Sequence, residues 1–237
     1  MVSEENLGDR PPLRFEQGVT LLGSGPVDVP DLDAALERAP HLVCADGGAN
    51  RLGQLRPEAI IGDLDSLANH ARWRSLLGDR LLHVPEQDST DFEKCLRHVE
   101  APLIIAVGFL GGRLDHELAV LHAIIADERR IVLLGVADVV MSAGTSVTMA
   151  AEPGQRVSVF PMGPVTGTGS TGLRWPLAGL AMNAGTRIGT SNEATAPRIS
   201  MSFDQSGAVL ILPRMQLDAM LHAEITVPQV SAGPISG

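Results

Sequence analysis

Positive charge is scarce in this 237-residue chain: 18 Lys and Arg side chains stand against 28 Asp and Glu, a formal net charge of -10. Proteins hold a nucleic-acid backbone through Lys/Arg-rich surfaces that release counterions, so the deficit argues against nucleic acid as a partner. Long apolar runs are missing as well. No stretch is long enough to span a bilayer, and Met1 to Gly18 is polar and acidic rather than basic and then greasy. A cytoplasmic protein without membrane contact is expected. Cysteine occurs only at Cys44 and Cys95, each among apolar neighbours and without metal-ligand spacing or a disulfide framework. Both are expected in the core, and their pairing as a redox switch is the weaker reading. Aromatic residues make up only 3% of the chain.

What is present describes a packed protein. The hydrophobic fraction of 44% and charged fraction of 19% are ordinary globular usage, and the length suits two modest domains. From Val19 to Leu134, short apolar runs alternate with Gly/Asp-rich turns and stretches of helical spacing. That pattern predicts an α/β domain with a mostly parallel sheet, over residues 1–142. Strands are expected at Val19–Gly23, Leu42–Ala45, Ala59–Ile61, Arg80–Val84, Leu103–Val107 and Ile131–Leu134. Helices are expected at Asp31–Arg38, Ser66–Leu77, Ser89–Val99 and Leu114–Asp127. Residues 143–237 read as a smaller all-β domain, a sandwich or barrel, because β-prone segments there alternate with Gly, Pro, Ser and Thr clusters. One closing helix is expected at Met215–His222, with a poorly ordered tail after Val227.

The acidic residues follow the strand ends. Asp46 comes after Leu42–Ala45, Asp63 and Asp65 after Ala59–Ile61, Asp88 and Asp91 after Arg80–Val84, and Asp115 after Leu103–Val107 and its glycine loop. In a parallel sheet those ends open on one edge, where ligands bind, so the carboxylates should converge. Crowded carboxylates repel one another unless a cation or proton intervenes. A Mg²⁺ site completed by water and phosphate oxygens answers that need, although Asp also favours helix caps and turns.

In the segment Asp88-Ser-Thr-Asp-Phe-Glu-Lys-Cys-Leu, Asp88 can cap a helix that buries Phe92, Cys95, Leu96 and Val99. Asp91 and Lys94 would share the opposite face, near backbone N–H groups that favour phosphate. Lys94 is the only lysine in a chain otherwise served by arginine, which suggests a need there for a compact point charge. In Gly108-Phe-Leu-Gly-Gly-Arg-Leu-Asp-His, glycines would let backbone amides approach a phosphate, and Arg113 could clamp it. His116 at that helix start is either a further nucleotide contact or a satisfied structural histidine. The Asp63-Leu-Asp65 triplet also invites an aspartyl-phosphate reading. Leu67 stands where that superfamily carries Thr or Val, so metal binding ranks higher.

Four blocks, Ala45-Asp-Gly-Gly-Ala-Asn, Ile61-Gly-Asp-Leu-Asp-Ser, Gln87-Asp-Ser-Thr-Asp-Phe-Glu-Lys and Gly111-Gly-Arg-Leu-Asp-His, together resemble the thiamin pyrophosphokinase family in content and order. A fifth, Gly172-Leu-Arg-Trp-Pro-Leu followed by Gly189-Thr-Ser-Asn-Glu, is similar to that family's C-terminal domain. The resemblance implies a Rossmann-like first domain, a β-sandwich second domain and a homodimer with active sites between subunits. It implies that the enzyme transfers pyrophosphate from ATP to thiamin with Mg²⁺, releasing AMP. Asp46, Asp63, Asp65, Asp91 and Asp115 would be the metal and phosphate-site carboxylates, with Asp63, Asp65 and Asp91 holding the ion. Gln87, Thr90, Lys94, Arg113 and His116 would serve ATP, and Ser191 and Asn192 thiamin. Two departures are visible: Leu64 replaces a common Phe, and Trp175 replaces another aromatic. Thiamin's thiazolium cation suits an acidic pocket. The alternatives are a pyrophosphokinase for another small alcohol, such as a hydroxymethyl pterin, and a non-catalytic sensor of Mg-nucleotide or thiamin.

Overall fold

The computed structural model describes residues 11–227; the acidic N-terminal stretch before Pro11 and the tail after Val227 lie outside them. The chain divides into two compact units. The first holds residues up to Val120 together with Arg129–Val136, and the second holds Leu121–Glu128 together with Ala137 onward. The sequence expectation of 142/143 lies a few residues later than this division.

The central strands of the first unit are short and almost entirely buried, as a sheet covered on both faces requires. A short parallel pair, β1 (Leu13–Arg14) with β6 (Val99–Glu100), stands apart. In the main body β2 (Val19–Leu22), β7 (Ile104–Val107) and β8 (Ile131–Leu134) are parallel neighbours, and so are β3 (His41–Ala45), β4 (Ala59–Gly62) and β5 (Leu81–His83). The two sets meet at β2 and β3. The His41 N–H donates to the Gly18 carbonyl at their starts, and Gly48, just past β3, lies against the Leu22 carbonyl at the end of β2. The connecting helices are α1 (Val29–Arg38), α2 (His70–Leu77), α3 (Asp91–His98) and α4 (Leu114–Ala126). From β2 the chain builds outward to β5 on one side, then returns to place β7 and β8 on the other. Loops leaving β2 and β7 therefore diverge and open a crevice at the carboxyl edge.

Among the helix starts that differ from expectation, two lie next to the site. α2 begins at His70 rather than Ser66, because Leu64 and Asn69 adopt left-handed backbone conformations (φ 64° and 57°) and residues 66–68 spend their backbone groups elsewhere. The cap of α3 is Thr90, not Asp88. Thr90 Oγ1 accepts from the Glu93 N–H at 3.3 Å, while the Glu93 carboxylate accepts from the Thr90 N–H at 2.9 Å. This reciprocal box was present in the sequence as Thr90-Asp-Phe-Glu93. The stripe Phe92, Cys95, Leu96 and Val99 is buried as expected, and both cysteines are free and inaccessible.

The second unit is two antiparallel sheets. One orders β14 (Gly189–Glu193), β11 (Arg156–Pro161), β16 (Ala208–Pro213) and β9 (Asp138–Ser142). The other orders β13 (Ala181–Met182), β12 (Val165–Thr171), β15 (Arg198–Phe203), β10 (Ser146–Ala150) and β17 (Glu224–Thr226). Alternation of buried and exposed positions, clear in β15, supplies the core-facing side of each strand. A short helix α5 (Leu217–Leu221) falls where a closing helix was expected. β12 and β14 escaped sequence reading because Thr, Gly and Ser dominate them and half their side chains face outward. Among the described residues no helix is long and apolar enough to cross a membrane.

Candidate active site

A cleft of about 540 Å³ lies at the carboxyl edge of the first unit's sheet. The loop after β2 lines it with Gly23, Ser24, Gly25 and Pro26, the turn after β3 with Asp46 and Gly47, and the loop after β7 with Gly108, Phe109, Gly112, Arg113 and His116; Thr90 and Asp91 come from the start of α3. The β2 loop was not singled out in the sequence. Its signal was the Gly23-Ser-Gly25 spacing directly after the first strand, where a doubly wound sheet receives phosphate. Glycine is required here by close approach: a Cβ on Gly23 would come within 2.5 Å of the Gly108 carbonyl, and one on Gly108 within 2.7 Å of the Gly23 carbonyl.

Four of the five expected carboxylates converge. Single oxygens of Asp46, Asp63 and Asp65 lie within 4.8 Å of one another. Asp46 is 2% exposed and sits at φ 37°, an unfavourable conformation for a non-glycine residue, directly after β3. Its Oδ2 accepts the Ser66 N–H at 3.2 Å, whereas its Oδ1 is buried with no hydrogen-bond partner. Burial raises its carboxyl to about 6, against the Ser66 bond and with help from Asp91, Asp63 and Asp65. The turn at Leu64 folds Asp63 and Asp65 together, with the Asp65 N–H donating to Asp63 Oδ1 at 3.2 Å. Gly62 makes room for this convergence, since a Cβ there would meet the Asp46 Cβ at 2.7 Å and Asp91 Oδ1 at 3.2 Å.

Asp91, grouped with Asp63 and Asp65 by the sequence, stands beside the trio rather than within it. Its Oδ1 lies 3.5 Å from Lys94 Nζ. Burial raises its carboxyl; Lys94 opposes that, and Asp63 and Asp65 add to it. Lys94, expected on the helix face opposite the buried stripe, is itself buried, and its ammonium also lies 3.6 Å from Asp63 Oδ2. Gln87 donates to the same oxygen at 3.0 Å. Asp63 is held low in spite of its burial, by Gln87, the Asp65 N–H and Lys94.

The remaining expected residues are placed differently. Asp115 does not line the cleft. It pairs with Arg113 at 2.6 Å with both side chains exposed, and that bond holds Asp115 low and Arg113 high. Thr90 and His116 line the cleft, the Thr90 hydroxyl being already engaged in its cap. Ser191 and Asn192 belong to the second unit. Ser191 sits at φ 60° in a bulge of β14, and its N–H donates to Ser158 Oγ at 3.0 Å. Asn192 is buried, and its amide closes on Trp175 from both sides: Oδ1 accepts the Trp175 N–H at 3.1 Å and Nδ2 donates to the Trp175 carbonyl at 2.7 Å. The indole so held is 54% exposed and borders a groove shared with Leu177, Leu180, Arg187 and Ile188. The Arg174 guanidinium lies 5.1 Å from the centre of this ring.

Residues 32–133 match the thiamin pyrophosphokinase catalytic domain, and residues 146–206 match the thiamin pyrophosphokinase vitamin B1 binding domain. Thiamine pyrophosphokinase 1 of Oryza sativa subsp. japonica is 32% identical over 204 residues, covering 71% of this chain and 77% of that protein. The crystal structure of thiamin pyrophosphokinase from Geobacillus thermodenitrificans superposes with a TM-score of 0.68 at 25% identity, covering 82% of this chain and 96% of the other. Thiamin pyrophosphokinase from Candida albicans shares the fold, with a TM-score of 0.71 at 14% identity over 85% of this chain and 93% of that one. With both domains matched in order and the carboxylate cluster in the first of them, the chain belongs to the thiamin pyrophosphokinase family.

Proposed function

We propose that the protein transfers the pyrophosphate group of ATP to the hydroxyl of thiamin, giving thiamin diphosphate and AMP. The observation that carries this is the trio Asp46, Asp63 and Asp65, one oxygen of each lying within 4.8 Å of the others, together with the buried, unpartnered Oδ1 of Asp46. Hard anionic oxygens at that spacing fit Mg²⁺, with water and substrate phosphates completing its shell. Such an ion, when bound, would offset the repulsion within the cluster and polarise phosphate oxygens.

The chain's own groups account for the rest of the chemistry. The glycine loops after β2 and β7 expose backbone where a polyphosphate can lie close. The exposed Arg113 can exchange Asp115 for phosphate oxygens in the same forked geometry. Gln87 and Lys94 keep Asp63 ionised and in place. Attack of the hydroxyl on the β-phosphorus, in line with the departing AMP, depends mostly on positioning and electrostatics. Its proton needs an acceptor. Asp91, which stands outside the trio and whose carboxyl is raised by burial, is better suited than Asp46, which is taken up in holding the ion.

For thiamin, the groove beside Trp175 offers an exposed ring that already holds the Arg174 guanidinium 5.1 Å from its centre and can stack a flat cation in its place, with Asn192 fixing the backbone that presents it. The same reading makes the first unit Rossmann-like, the second a β-sandwich, and the protein a cytoplasmic homodimer with active sites between subunits. Incubation with ATP, Mg²⁺ and thiamin should release AMP and thiamin diphosphate in equal amounts. Turnover of a hydroxymethyl pterin in place of thiamin would reassign the acceptor, and binding without AMP release would make the protein a sensor.

A further inference from the structure

We infer that Asn50 is a positioning residue that sets the distance between Asp46 and the Asp63–Asp65 pair, and through it the affinity of the cluster for a divalent cation; this rests on the metal-site reading above. Asn50 stands one turn after Asp46 in the 3-10 segment Asp46–Arg51. Both ends of its amide cross to the neighbouring loop. Oδ1 accepts the Ala68 N–H at 2.8 Å, and Nδ2 donates to the Ser66 carbonyl at 2.8 Å. Asp46 Oδ2 takes the Ser66 N–H at 3.2 Å, so both backbone polar groups of Ser66 end on this one turn. Ser66 continues directly from Asp65 and donates its hydroxyl to Asp65 Oδ1 at 2.9 Å. The path from Asn50 to a carboxylate of the trio is thus two hydrogen bonds long.

The loop needs such a hold. It is bounded by Leu64 and Asn69, both left-handed, a conformation disfavoured for a branched residue such as Leu64. Its carboxylates also repel Asp46, which pushes loop and turn apart when no cation lies between them. Asn50 opposes that opening without adding charge. Aspartate could not replace it, because a carboxylate would accept from Ala68 but repel the Ser66 carbonyl. Gly47 allows the close packing involved: a Cβ there would lie 3.1 Å from the Ser66 Cβ.

The test is titration of Mn²⁺ alone, without nucleotide, into the full chain, with the free ion followed by electron paramagnetic resonance. Asn50→Ala is expected to weaken Mn²⁺ binding about 10- to 100-fold, as loss of outer-shell support does at other metal sites. Asn50→Ser, too short to reach both groups, should move in the same direction and serves if the alanine variant folds poorly. In an Asp46→Asn background the added effect of Asn50→Ala should shrink to about 2-fold or less, because residues acting through one another are not additive. Wild-type Mn²⁺ affinity in a folded Asn50 variant, or an undiminished penalty in the Asp46→Asn background, overturns the inference. A wild-type protein that binds no Mn²⁺ overturns the metal-site reading itself, and the two failures are therefore distinct.

Discussion

The ammonium of Lys94 stands 3.6 Å from the Asp63 carboxylate with only 2% of its side chain exposed. A charge so enclosed does not reach out to a ligand; it holds Asp63 on one side and Asp91, at 3.5 Å, on the other. The one lysine of the chain is therefore an internal strut of the carboxylate cluster. A slim ammonium fits between two carboxylates under the helix, where a planar guanidinium needs more room and a fixed fork.

Replacing Lys94 should consequently fail in both directions. Lys94→Met keeps the stem but leaves carboxylates unpaired, and is expected to cost about 3 kcal/mol of stability. Lys94→Arg keeps the charge but should still lower turnover at least ~10-fold. Denaturant melts and steady-state AMP release check both. Near-normal turnover in the arginine variant would show that charge alone suffices.

Asp63 receives Gln87, Lys94 and the Asp65 N–H, so Asp63→Asn disturbs the cluster at its most connected member. Turnover should fall at least ~100-fold with folding intact, in line with the sensitivity of metal sites. Near-normal rates at saturating Mg²⁺ would remove Asp63 from the site.

Trp175→Ala removes the exposed ring while leaving the Asn192 amide its backbone partners. Loss of a cation–π contact of ~0.5–2 kcal/mol corresponds to a rise in KM for thiamin of roughly 2- to 30-fold, with KM for ATP unchanged. Equal changes in both constants would point to a general disturbance instead.

Glu86 predicts a pH dependence. The Ser89 hydroxyl, working against burial and joined by Arg97 and the Asp88 N–H, draws its carboxyl down to about 2. A folded-state pKa below the unfolded value near 4.5 stabilises fully above that value and loses its contribution as pH falls toward 2. Urea melts of wild type and Glu86→Gln should differ by a constant amount from pH 6 to 8 and converge below about 4.5. A gap that stays constant in acid would exclude this origin.

Much of the site was legible because strand ends are easy to read. Short buried runs followed by Asp placed Asp46, Asp63 and Asp91 at one edge, and the structure brings them together with Asp65. What misled was local: Ser66–Ala68 has helical composition, yet its backbone groups are claimed by Asp46 and Asn50, partners about 20 residues away in sequence. At the start of α3 an Asp at a strand end suggests a cap at Asp88, whereas the Thr90–Glu93 box satisfies two donors at once.

Sequence alone determined the alternation of elements, the burial of Cys44 and Cys95, and the carboxylates that leave the strands at a common edge. These follow from periodicity and chain direction, which are local properties. Only the tertiary structure decided that Asp46 rather than Asp91 completes the trio, that Lys94 faces inward, and that Asn192 spends its amide on Trp175. Those outcomes depend on distances of a few ångströms between groups on different elements of the chain. Strand order and cross-loop hydrogen bonds set such distances, and no local pattern of residues encodes them.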